Sequence, residues 1–388
     1  MENKWIRGAI PALLIHCSIG TVYCWSLLRN SICESLGCQP HVIEWAFSLA
    51  IFFLGMSAAF GGNLVEKNVE KSAKASAICF GCGMVGTGLS VAAGSTLGVM
   101  LCYGVLMGIG LGIGYLTPVK TLMMWFAKHK GLATGIAITG FGLAKVIAAP
   151  IITYLLSRFT IAHTFYILGG AYFFLMCIGA MLIRKPEGRE EWKGVAFNLK
   201  DSLKFIINKQ YLAIWFVFFI NITCGLALIS QEKTILTISG LGASVAIIAS
   251  CTAALNAIGR FGYSTLSDKI KDRASVYLSI FLSSIMVLSW NWLGFSSVFV
   301  VVSVLLMCNA GYGGGFSVLP SLLSDKFGMQ NVSVIHGFAL SAWAWAGLIG
   351  NHMGHYLLTS HGISALFFVL LLLYGIAAII TNKYILSR

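Results

Sequence analysis

Apolar runs of about 18 to 25 residues recur from one end of this 388-residue chain to the other. Each is long enough to cross a hydrocarbon core about 30 Å thick at about 1.5 Å per helical residue. They fall near 8–28, 44–65, 75–93, 96–120, 131–156, 163–183, 211–231, 243–265, 274–293, 296–320, 333–357 and 364–382. A segment in lipid must satisfy its own backbone hydrogen bonds, so these runs are read as helices. Only 10% of the residues are charged, against about 25% in an ordinary soluble domain. The expected fold class is therefore an all-α membrane protein with twelve transmembrane helices. Lys4 and Arg7 ahead of an apolar run imitate a secretion signal. No small-residue cleavage site follows, and the run is long enough to span, so it is read as the first retained helix.

The formal charge of +13 would suggest a nucleic-acid partner in a soluble protein, but here the loops account for it. With the N-terminus in the cytosol, twenty Lys and Arg residues fall inside and three, Arg29, Arg158 and Lys233, fall outside. That is the positive-inside bias, and it places both termini in the cytosol. The other three cations, Lys120, Lys145 and Arg260, fall within spans. Most of the eleven cysteines lie in apolar spans without CxxC spacing, which reads as packing rather than metal binding. Cys33 and Cys38 fall in the first external loop, where an oxidising compartment could pair them. Two free thiols is the reading preferred from sequence.

The longest polar stretch, 184–210, divides the runs six and six. Residues 1–183 are expected to form one helical bundle, 184–210 a cytosolic linker with a surface helix over Asn198–Ile207, and 211–388 a second bundle. Gly62, Glu66, Lys67 and Lys71 have counterparts in Ser264, Asp268, Lys269 and Arg273, 202 residues later, and Pro118 and Pro320 repeat at the same offset. Parallel six-helix repeats with a site between them are the construction of facilitator-type transporters. An acid at a helix end followed by cations on a tight loop can bind neighbouring helix ends in one conformation and release them in another. Gly62, Glu66, Lys67, Lys71, Asp268, Lys269 and Arg273 are accordingly read as a conformational lock.

Arg260 is the most informative residue. Eight helical residues separate it from Asp268 at the inner edge, which puts it about 12 Å deeper, close to the midplane. An arginine there costs about 2.5 to 3.5 kcal/mol, and Glu44, Glu66, Glu232, Asp268 and Asp325 are all placed at helix ends. A carboxylate ligand held by the guanidinium fork is the expected partner. Lys145, about 21 Å along its helix, is either a second substrate cation or a lysine reaching the outer interface. Lys120 is read as snorkelling. His16, near the middle of the first span, could carry a proton or donate to a substrate, but a bond to a neighbouring helix is the preferred reading. No catalytic, nucleotide or metal motif appears, so neither an enzyme nor a cofactor is expected.

Several motifs then point one way. Gly20-Thr-Val-Tyr-Cys-Trp-Ser26, Gly114-Tyr-Leu-Thr-Pro118, Trp125-Phe126 with Gly131-Leu-Ala-Thr-Gly135, Gly259-Arg260 with Ser267-Asp268, and Pro320 with Asp325 through Gly328 resemble the oxalate/formate antiporter family of the major facilitator superfamily, close to the monocarboxylate transporters. The loop signature departs from the superfamily pattern at Val69 and Ser264, where glycine is usual. The resemblance implies a carboxylate held between the halves by Arg260, with Tyr23, Tyr115 and Tyr312 around it. Oxalate-carrying members have a lysine where this chain has Trp343, so oxalate is disfavoured unless Lys145 restores the second charge. Proton-coupled members have an Asp where this chain has Asn256, which weakens proton coupling through that pair. The expected function is a secondary active transporter of a small organic carboxylate, acting as exchanger or symporter. It is expected to work as a monomer in a bacterial inner membrane. A passive channel or a substrate-sensing receptor on the same scaffold is the alternative.

Overall fold

The computed structural model describes residues 3–186, 204, 206–329 and 332–386. The surface helix expected over 198–207 lies, but for residues 204, 206 and 207, outside the described residues. The regular structure among these is helical throughout: α1 Trp5–Leu36, α2 Val42–Lys67, α3 Val69–Ala92, α4 Thr96–Trp125, α5 Lys130–Arg158, α6 Ile161–Leu182, α7 Lys209–Ile238, α8 Val245–Ser267, α9 Ala274–Trp292, α10 Ser297–Phe327, and a final segment Val332–Ile385. Ten of these segments are long and apolar enough to cross a membrane. The last of the ten, 54 residues long, bends at Gly362, whose φ of 82° and ψ of 178° are not helical. Glycine has no Cβ to oppose that conformation. The bend separates α11 (332–361) from α12 (363–385), where the sequence places two runs.

Polar residues punctuate several helix ends. Asn68 is extended between α2 and α3, and its side chain accepts from the Lys71 amide, so one residue stops α2 and caps α3. Thr160 and Asn208 cap α6 and α7 in the same way, each satisfying amides that a helix start leaves without partners. The first span is longer than its apolar run because α1 continues to Leu36, with Arg29 paired to Glu44 on α2.

Two long contacts join α1–α6 to the later helices. α2 lies along α11 and α5 lies along α8. At the α8–α10 crossing, a Cβ on Gly259 would lie 2.2 Å from the Ala310 carbonyl oxygen, and one on Gly313 would lie 2.2 Å from that of Asn256. Only glycines let the two backbones meet there, as small residues do where membrane helices approach closely. The crossing seats Arg260 in the interior.

Candidate functional site

Arg260 is 1% exposed. Its Nε donates to Asn256 Oδ1, one turn earlier on α8, at 2.8 Å. That bond holds the guanidinium between two aromatic faces, with its carbon 5.3 Å from the Phe316 ring centroid and 5.9 Å from that of Phe141. Both terminal nitrogens are buried without a hydrogen-bond partner. The surrounding rings carry further unpartnered donors. Trp343 packs 4.5 Å from Phe316 and 5.9 Å from Phe141 by ring centroid, and Tyr115 packs 5.5 Å from Phe141 and 5.8 Å from Trp343. The Trp343 indole nitrogen and the Tyr115 hydroxyl are both buried with no partner, as is Nε2 of His336, whose ring lies 6.0 Å from Tyr115. A buried donor without a partner forfeits its hydration, at about 1 to 3 kcal/mol each and more for a charge. One full positive charge, an indole N–H and a phenol lie between aromatic walls, which suits a small anion bearing more than one acceptor atom.

Arg260, Tyr115 and Trp343 of the expected substrate residues therefore come together. Tyr23 and Tyr312 form an adjoining layer: their hydroxyls are 3.4 Å apart, Tyr23 abuts Phe141 at 5.3 Å and Tyr312 abuts Phe316 at 5.1 Å. His16 stacks on Tyr115, but its ring nitrogens face the Ala137 and Tyr115 carbonyls at 2.5 and 3.0 Å. It binds its neighbouring helices. Lys145 is exposed, one turn beyond Gly142, against which Arg260 packs. Its charge acts on Glu232, an acid that also accepts from Thr252 at 2.6 Å. Glu232 lies more than a turn inside α7 rather than at its end, because α7 continues past the apolar run. Phe141, Phe316 and His336 carry no role in the sequence reading. The one available signal was spacing, since Phe316 follows Tyr312 by one helical turn.

The second cluster lies at the end of the bundle where α2, α4, α8 and α10 finish. Glu66 Oε1 accepts from the Ser333 amide at the start of α11 at 2.9 Å and from Lys120 Nζ at 3.0 Å. Lys120 also donates to the Met329 carbonyl at 2.7 Å. Lys120 is 1% exposed, so it does not snorkel: a buried acid and a carbonyl within reach satisfy its ammonium internally. Lys185 donates to the Glu66 carbonyl at 2.8 Å. Burial draws its ammonium below the usual lysine pKa and the Glu66 charge opposes that. Asp268 meanwhile accepts from the Gly131 and Leu132 amides at the start of α5, both at 2.8 Å. Arg273 bridges Asp268 at 2.9 Å and Asp325 at 2.6 Å, and Lys130 reaches Asp325 at 3.1 Å. Gly62 lets α2 approach the Ser333–Val334 backbone. Lys67, Lys71 and Lys269 are exposed and join none of the ion pairs found among the described residues. Of the cations named from sequence, Arg273 pairs with these acids, and Lys120 and Lys130, which the lock reading did not include, pair with them as well.

The family profile of the major facilitator superfamily matches residues 12–351. The chain belongs to the major facilitator superfamily. Among curated relatives, this facilitator is 27% identical to the Escherichia coli K12 MFS-type transporter YhjX over 87% of this chain and 84% of that one. It is 26% identical to the oxalate:formate antiporter of Oxalobacter formigenes over 95% and 88%. Among solved structures, it superposes on the facilitator FucP in its outward conformation with a TM-score of 0.72, at 13% identity over 98% of both chains, a likeness of fold. Facilitators are multi-pass membrane transporters that bind small-molecule substrates, not enzymes.

Proposed function

We propose that this facilitator is a secondary active transporter that carries a small organic carboxylate by alternating access between two six-helix halves, residues 1–183 and 211–388, joined by 184–210. In this reading twelve helices span a bacterial inner membrane with both termini in the cytosol, and a monomer suffices. The observation that carries it is Arg260, buried at 1% exposure with both terminal nitrogens unpartnered. A carboxylate accepts two parallel bonds from such a fork. The lone charge of Arg260 and the neutral donors Tyr115 and Trp343 favour a monocarboxylate over oxalate. The resemblance to a protein named for oxalate:formate exchange supports a carboxylate substrate. Because Asn256 is neutral, the empty site keeps an uncompensated positive charge and the loaded site does not. That difference favours exchange, in which the carrier reorients with an anion aboard.

The Glu66 and Asp268 clusters are the lock in this account. Each acid sits on the start of a helix in the other half, where the helix dipole favours negative charge. Thermal-shift measurement of purified protein against a panel of small carboxylates tests the reading, because a ligand specific to the folded state raises the melting temperature as its concentration passes Kd. The expected result is stabilisation by at least one small carboxylate in wild type and none in Arg260→Gln. Equal shifts in both proteins would remove Arg260 from the site.

A further inference from the structure

Resting on the topology proposed above, which puts the α1–α2 corner on the outer face, we propose that Cys33 and Cys38 form a disulfide in the membrane-inserted protein. The geometry is that of a helix end closed by glycine. α1 stops at Leu36, Gly37 takes a left-handed φ of 61°, and the Cys38 amide donates back to the Cys33 carbonyl at 3.2 Å. This bond, from the second residue past the helix end to the third residue before it, marks a Schellman motif, in which those two side chains turn toward each other and usually make an apolar contact. Here both positions are cysteine, and Cys38 packs against the buried core to which Cys33 belongs.

Other cysteines lack this arrangement. Cys79 and Cys82 are three residues apart inside α3, where helical spacing holds Cβ atoms about 5 to 6 Å apart. A disulfide needs about 3.5 to 4.5 Å. Cys38 is partly exposed while Cys33 is buried, which sets the order of events. The Cys38 thiolate attacks a disulfide of the outer compartment, forming a mixed disulfide and releasing one thiol. The Cys33 thiolate then attacks the Cys38 sulfur and releases the second thiol. Two protons and two electrons leave the pair, and the oxidant is reduced to two thiols. The bond closes the corner beside the Arg29–Glu44 ion pair, tying the end of α1 to the chain entering α2. Cys33 is ten residues, about 15 Å, along α1 from Tyr23.

Differential alkylation of the full-length protein in intact cells tests this. Free thiols are labelled with iodoacetamide under denaturing quench, disulfides are then reduced, and newly released thiols are labelled with N-ethylmaleimide. The tryptic segment 30–67 carries both cysteines and is read by mass spectrometry. The expected result is the second label on Cys33 and Cys38 at about tenfold or more over the first, with Cys38 turning to the first label in Cys33→Ser. The first label on both residues in cells overturns the proposal. Purified wild-type protein treated with oxidised glutathione then locates the fault: pairing there means the geometry holds and the outer placement fails, and no pairing means the geometry fails.

Discussion

Asn256 Oδ1 lies 2.8 Å from Arg260 Nε, so a neutral amide holds the one side of the guanidinium that the unpartnered nitrogens do not use. Position and charge are thereby separated, since Asn256 orients the arginine without neutralising it. Asn256→Asp keeps the bond and adds a negative charge. Affinity for a carboxylate at neutral pH is expected to fall about 10-fold or more, for a competing interaction of about 1.4 kcal/mol or above. It should recover in part as the pH falls and the new carboxyl protonates. Isothermal titration across pH measures both effects, and pH-independent wild-type affinity in the variant would refute the assignment.

In the proposed carrier, Glu66 and Asp268 act on conformation rather than on binding. Asp268→Asn removes a negative charge from a helix start, at about 0.5 to 2 kcal/mol, and the population opened at that end of the bundle should rise about 2-fold to 30-fold. Glu66→Gln also leaves the buried Lys120 unpaired, so its effect should be larger. Spin labels at the exposed positions 74 and 269 would report it as a longer distance. An unchanged distance distribution in both variants would mean the contacts do not lock the bundle.

Lys120 makes a related but separable prediction. Removing one member of a buried ion pair leaves the other uncompensated, which costs about 3 to 5 kcal/mol, whereas removing both is often nearly neutral. Lys120→Met should lower the melting temperature markedly, and Lys120→Met with Glu66→Gln should restore most of the loss. Additive destabilisation in the double variant would mean that the two charges do not depend on each other.

Much of this arrangement was legible in the sequence, for reasons that differ by residue. Helix positions followed from run length, and Arg260 stood out because a charge at mid-span has few explanations. The shared offset of 202 residues between Glu66 and Asp268 extends to their acceptors' partners, since Gly131 and Ser333 are also 202 residues apart. The sequence holds that relation, but reading it requires knowing which helix start each acid meets. Snorkelling does not describe Lys120, because its place within a span says nothing about a partner 54 residues away. Phe141 and Phe316 were missed because a phenylalanine in an apolar span carries no signal until a cation is placed beside it.

Lys145 distinguishes substrate classes. It is exposed, one turn from the residue that packs on Arg260, and Glu232 opposes its charge. Lys145→Gln is expected to weaken a dicarboxylate more than a monocarboxylate, and Glu232→Gln to favour the dicarboxylate, because the net charge near Arg260 changes in opposite directions. Competition by paired mono- and dicarboxylates against a labelled substrate would reveal this. Parallel effects on both classes would assign Lys145 a structural part.

The most direct measurement is counterflow in proteoliposomes loaded with unlabelled carboxylate, comparing wild type, Arg260→Lys and Arg260→Gln after each is verified as folded and inserted. A carrier should accumulate external label transiently in wild type, because internal substrate drives the return step. Arg260→Lys keeps the charge but loses the planar fork, and should retain part of the flux. Arg260→Gln should lose nearly all of it, with affinity reduced about 30-fold to 1,000-fold for a loss of about 2 to 4 kcal/mol. Wild-type counterflow in Arg260→Gln, or wild-type flux that ignores internal substrate and does not saturate, would contradict the account.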